Sequence, residues 1–151
     1  MSKKPQDLLD FEGTWRLERV IEDRRQKSSS TLIGSATLTR CEKDSSPELS
    51  DRLRYAEEGE LKIADQPPLT ASRTYYWTRG QDAQIAVTFD AGEEFHAFSL
   101  NRTMPEASHL CPPDMYYVTY DFGKWPRWSA EWRVQGPRKS YRMRSDYYPE
   151  M

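Results

Sequence analysis

Apolar and polar residues alternate with a period of two along most of this chain, the pattern of half-buried strands, and no long 3.6-residue apolar stripe runs between caps. Residues 5–11 are expected to form one helical turn before Gly13 opens the first strand. In that strand Trp15, Leu17 and Ile21 face one way, and Thr14, Arg16 and Glu18 the other. A polar turn over 24–30 leads to a second strand with Leu32, Gly34, Ala36 and Leu38 on one face. Beyond a polar loop over 42–50, Leu53, Tyr55, Leu61 and Ile63 alternate with Arg54, Glu58, Glu60 and Lys62. Gly59 inside that run predicts a bulge or a sharp bend. Ala71, Tyr75 and Trp77 define the next inward face, followed by Ile85, Val87 and Phe89, and then by residues 95–100. Residues 101–114, with Pro105, Pro112 and Pro113, read as an irregular connection. Residues 115–122 are aromatic on both faces, which leaves the inward side open. The clearest alternation places Trp128, Ala130, Trp132 and Val134 together, and Tyr141, Met143 and Tyr147 form the last inward face.

This pattern amounts to about nine short strands joined mostly by tight turns, with no helix long enough for a parallel crossover, so the sheet is antiparallel. Closing such a meander on itself removes its exposed edges. The expected fold is therefore all-β: a closed antiparallel meander barrel spanning residues 1–151 as one domain, with a two-sheet sandwich as the alternative. Composition supports a core built of rings. Hydrophobic residues make up only 36% of the chain, yet five Trp, nine Tyr and five Phe are among them. Each buried ring covers about 150–250 Å².

Charge narrows the partners. Lys and Arg total 22 against 24 Asp and Glu, interleaved along most segments, which argues against a nucleic-acid binder. The locally basic stretch 127–144 reads as a solvated strand face. No apolar run follows the basic start, none approaches the ~20 residues of a membrane helix, and the two cysteines, Cys41 and Cys111, make no disulfide framework. The expectation is a reduced, cytoplasmic protein with a small-molecule partner, no nucleic acid and no membrane; its oligomeric state is open.

Gly13-Thr14-Trp15, on the first strand after a short lead-in, resembles the G-x-W motif of lipocalins. That resemblance implies that Trp15 plugs one barrel end beneath a basic side chain from the start of the last strand, with Arg138 or Lys139 stacked on it. The chain as a whole resembles a family of short lipocalin-like (calycin) proteins known as a domain of unknown function. The resemblance rests on Gly13-Thr14-Trp15, Tyr55-Ala56-Glu57-Glu58-Gly59, Arg73-Thr74-Tyr75-Tyr76-Trp77, Phe95-His96-Ala97-Phe98, His109-Leu110-Cys111 and Gly136-Pro137-Arg138-Lys139-Ser140-Tyr141. It implies a fold and supplies no activity.

The candidate chemistry lies in polar residues on inward faces. Arg19 shares a face with Trp15 and Leu17, Glu57 with Tyr55, Arg73 with Tyr75 and Trp77, and His96 with Phe98; Lys139 leads into the face of Tyr141. Buried charges must pair with each other, with water or with a ligand. Convergence of these groups in one aromatic-lined cavity fits a binding site. The expected ligand is small, aromatic or amphipathic, and anionic, with Arg19, Glu57, Arg73, Tyr75, Trp77, His96 and Tyr141 around it. The bland alternatives are an Arg19 that reaches solvent, an internal Arg73–Glu57 ion pair and a core histidine at 96. His109, Cys111 and Asp114 form a secondary candidate, too few for a zinc site. Acid–base catalysis by Glu57 or His96, haem ligation by His96 or His109, and a filled, protein-binding barrel remain alternative uses of the same scaffold.

Overall fold

The computed structural model describes residues 4–41 and 51–150; the polar loop expected over 42–50 lies outside them. A 3-10 turn, Leu8–Phe11, precedes ten strands: β1 (Gly13–Asp23), β2 (Ser28–Arg40), β3 (Arg52–Ile63), β4 (Leu69–Arg79), β5 (Gln84–Phe89), β6 (Glu94–Ser99), β7 (Glu106–Cys111), β8 (Asp114–Asp121), β9 (Trp128–Gln135) and β10 (Ser140–Pro149). They form one antiparallel sheet in the order β6-β5-β4-β3-β2-β1-β10-β9-β8-β7. Its two edges, β6 and β7, come together without a hydrogen-bonded ladder, so the barrel is nearly closed. Rings bridge this seam: Phe95 meets His109 at 5.4 Å and Phe98 meets Tyr120 at 4.2 Å between centroids. Among the described residues, no helix is long and apolar enough to cross a membrane.

The tenth strand is β7, within the stretch expected to be irregular. Pro105 stands just before it, and Pro112 and Pro113 occupy the turn after it, so none removes a donor from its ladder with β8. In the neighbouring strand, Val118 and Tyr120 are buried and Tyr117 is exposed, which settles the inward face of β8. A bulge does occur, but between β5 and β6. Val87 pairs with His96 and Thr88 with Glu94, so Phe95 is the extra residue. Phe95 and His96 consequently both line the interior, which simple alternation forbids.

Gly59 has no bulge. It pairs in continuous register with Gly34, where β2 and β3 approach closely. A Cβ on Gly59 would lie 2.7 Å from the Ile33 carbonyl oxygen, and one on Gly34 would overlap the Glu58 carbonyl. Backbone cannot yield as a flexible side chain does. Gly34→Ala is therefore expected to destabilise by about 1–3 kcal/mol, read as a lower urea midpoint at unchanged slope. Gly80→Ala, whose new methyl would meet its nearest atoms at an ordinary 3.5 Å, is the control expected to show little change.

One barrel end is plugged by the 3-10 turn, whose Leu8 and Phe11 are fully buried. The Asp10 carboxylate accepts from the Gln6 and Asp7 amides at 2.8 and 3.2 Å, and Arg79 grips Asp7 with bonds of 2.8 and 2.7 Å. Gly13 adopts φ +134°, a conformation open to glycine, and turns the chain from plug into strand. Trp15 is buried there as expected, its Nε1 donating to the Phe11 carbonyl at 2.9 Å and its ring against Trp125 and Trp128.

The expected basic cap does not form. β10 runs antiparallel to β1, so Trp15 lies opposite Pro149 while Asp23 lies opposite Tyr141. Arg138 and Lys139, at the start of β10, are thus at the other end of the barrel. Two cations near the Trp15 end, Arg16 and Arg127, instead stack on the outer ring of Tyr148, at 4.4 and 5.2 Å.

Candidate functional site

Away from the plug, the interior opens into a cavity of about 70 Å³. Aromatic residues dominate its walls, among them Tyr75, Trp77, Phe95, Trp132 and Tyr141. The side chains therefore leave part of the core unfilled. Arg19, Glu57, Arg73 and His96, from four different strands, all line this one space.

A polar network lies along one wall. Arg19 and Glu57 are 5% and 4% exposed, and the guanidinium holds the carboxylate through two bonds: Nη1 to Oε2 at 2.6 Å and Nη2 to Oε1 at 2.9 Å. Arg19 Nε donates to Ser145 Oγ at 2.7 Å. The Tyr55 hydroxyl donates to Glu57 Oε1 at 2.5 Å. Its single proton is thereby used, so in the 2.7 Å contact between the Tyr55 and Tyr147 hydroxyls it is Tyr147 that donates. Burial alone would raise the Glu57 carboxyl, but the Arg19 bonds and charge, with the Tyr55 bond, outweigh it and hold the group below the usual carboxylate range. Burial pushes Tyr55 well up and Tyr147 to about 12. The network thus carries one positive and one negative charge at neutral pH, and Arg19 does not reach solvent.

Arg73 faces Glu57 across the β3–β4 ladder, yet Glu57 belongs to Arg19. The anticipated Arg73–Glu57 pair is therefore absent. Among the described residues Arg73 has no acidic partner within salt-bridge distance, and its one side-chain hydrogen bond is a long 3.5 Å bond from Nη1 to the Tyr75 hydroxyl. The side chain is exposed while lining the cavity, which puts it at the mouth. Lys139 is also on this side. It reaches Asp114 at 3.4 Å, and its charge is felt by Tyr116 and Tyr141, as that of Arg73 is by Tyr141.

His96 is held by the Tyr120 hydroxyl at 2.8 Å from Nε2, while Nδ1 is buried without a partner. Burial, reinforced by His109, lowers its pKa to about 3, so the ring is neutral in ordinary buffers. Neither Glu57 nor His96 is poised near neutrality as an acid–base catalyst would be. Haem ligation through Nε2 of His96 would require it to give up Tyr120. His109 packs edge-on against Phe89 and Phe95, Cys111 is exposed, and Asp114 is engaged by Lys139. Among the described residues no three potential ligands gather for a metal.

Several wall residues escaped the sequence pattern as functional candidates. Ser145 and Tyr147 share the alternating face of Tyr141 and Met143, so that signal was present. Phe95 was hidden by its bulge, and Tyr116 and Tyr120 by the ambiguous face of β8.

The model of a Family of unknown function (DUF6314) matches residues 11–149. The chain belongs to that family. The match runs from the plug residue Phe11 to the last strand, so the DUF6314 region contains the whole cavity. No curated protein matches the chain. Among solved structures, the S-type phycobiliprotein lyase CPES from Guillardia theta is similar over 93% of this chain and 88% of its own, with a TM-score of 0.67 and 9% identity. At that identity the likeness extends to the fold, a lipocalin-like barrel, which this DUF6314 member shares.

Proposed function

We propose that this protein binds one small, flat, aromatic or amphipathic molecule in the barrel cavity and recognises its anionic group with Arg73. The observation that carries this reading is a guanidinium at the mouth of an aromatic-lined cavity with no acidic partner among the described residues. Arginine's planar fork suits a carboxylate or phosphate, and such bonds are among the stronger polar contacts in proteins. Tyr75, Trp77 and Tyr141 supply flat walls for the body of the ligand, and Lys139 adds positive potential nearby. The structural likeness to a phycobiliprotein lyase is compatible with small-molecule binding in such a barrel and names no ligand for this one.

A charge-matched probe pair tests the reading. The wild type is expected to bind 2-naphthoate more tightly than the isosteric, uncharged 2-naphthamide in fluorescence titration. Arg73→Leu should reduce naphthoate affinity by about ten- to a hundredfold, to the level of the amide. Its melting temperature should barely change, because no buried carboxylate is left unpaired. Equal affinity of the variant and the wild type for naphthoate would overturn the assignment.

A further inference from the structure

We infer that the ligand is one-headed: its single anionic group stays at the mouth, and the end that enters the barrel carries a neutral hydroxyl or N–H. This inference rests on the binding reading above and specifies the class of molecule it would take. The charges differ between the two ends of the cavity. At the mouth stands Arg73, without an acidic partner among the described residues. On the inner wall the only ionised groups among the lining residues are Arg19 and Glu57, and they neutralise each other through two hydrogen bonds. A second anion pushed inward would meet the fixed Glu57 carboxylate in a site stripped of water, with no uncompensated cation to receive it.

A neutral polar group meets a different surface. Proton accounting shows both free acceptors and free donors on this wall. The Tyr147 hydroxyl spends its proton on Tyr55 and Tyr55 spends its proton on Glu57, so the protons run in one direction toward the carboxylate. That leaves one lone pair on the Tyr147 oxygen, the other being turned to Arg19, and capacity on Glu57 Oε2, which accepts a single bond. A phenol that donates to an ionised chain becomes a better acceptor itself. Ser145 Oγ accepts from Arg19 and keeps its own proton to give. A group that both donates and accepts satisfies this wall; an apolar end would leave these groups with nothing in place of water.

Three rigid acids of one shape distinguish the possibilities: 2-naphthoate, 6-hydroxy-2-naphthoate and 2,6-naphthalenedicarboxylate, titrated against the full chain. The hydroxy acid should bind about fivefold more tightly than naphthoate, the worth of one neutral hydrogen bond. The dicarboxylate should bind at least about tenfold more weakly, because its second charge is forced toward Glu57. Tyr147→Phe keeps the ring stacked on Trp128 but removes the terminal hydroxyl. It should erase the advantage of the hydroxy acid over naphthoate. Equal binding of all three acids, tighter binding of the dicarboxylate, or a hydroxyl advantage that survives Tyr147→Phe would each overturn the inference while leaving the Arg73 reading intact. Failure of all three acids to bind would remove both.

Discussion

Arg19→Leu should destabilise the protein by about 3–5 kcal/mol, the usual consequence of removing one member of a buried ion pair. The remaining carboxylate would sit 4% exposed, with the Tyr55 hydroxyl as its one remaining hydrogen-bond partner. Sign distinguishes this from ordinary loss of packing. In the wild type Glu57 is held below its normal range, so its contribution is present above the unfolded carboxyl pKa and is lost as pH falls through the folded value. Without Arg19, burial acts unopposed and the folded pKa rises above the unfolded one. The variant's deficit should therefore shrink as pH falls and Glu57 takes up a proton. Arg19→Leu/Glu57→Leu should recover most of the loss, since apolar replacement of a whole buried pair is often neutral or better. Urea midpoints at two pH values suffice. A deficit below about 1 kcal/mol, or one that grows in acid, would show that the pair is solvated rather than buried.

The contrast between Arg19 and Arg73 also marks where the sequence stopped being legible. Both arginines alternate in phase with aromatic residues, so their inward orientation could be read directly. Which of them takes Glu57 could not. Arg73 is the immediate cross-strand neighbour of Glu57, whereas Arg19 lies on β1 with β2 between them. Arg19 reaches across because the inward residues of β2 near Glu57 are Gly34 and Ala36, small enough to let a guanidinium pass over. That is a property of side-chain volume on a third strand, invisible to the periodicity of any single one. The position of Lys139 failed for a related reason. The resemblance correctly suggested a buried tryptophan near the N-terminus, but the capping residue depends on which end of the last strand lies beside it, and antiparallel pairing put Pro149 there. β7 was missed because only Ala107 and His109 on it are even partly buried, a face with little apolar contrast, flanked by prolines that lie outside its ladder.

His96 should make the protein acid-labile well above the range of its carboxylates. The unfolded histidine protonates near pH 6.5, whereas the folded one, buried against Tyr120 and facing His109 across the β6–β7 seam, resists until about pH 3. Between those values the unfolded chain binds one more proton than the native state at this site, so stability falls as pH falls. The slope is up to about 1.4 kcal/mol per pH unit, and the full window is worth up to about 4–5 kcal/mol, a large share of a typical domain's total. Glu57 adds a loss of the same sign, but only below the ordinary carboxyl pKa, so the interval from pH 6 to 5 isolates the histidine. His96→Gln preserves a partner for Tyr120 and cannot titrate. Its stability profile over that interval should be flatter than that of the wild type by up to one proton's worth of slope, and the variant should survive to lower pH even if it is less stable at pH 7. Parallel profiles would mean that His96 reaches solvent and charges freely in the native state, and the closed, ring-bridged seam between β6 and β7 would then have to open in solution.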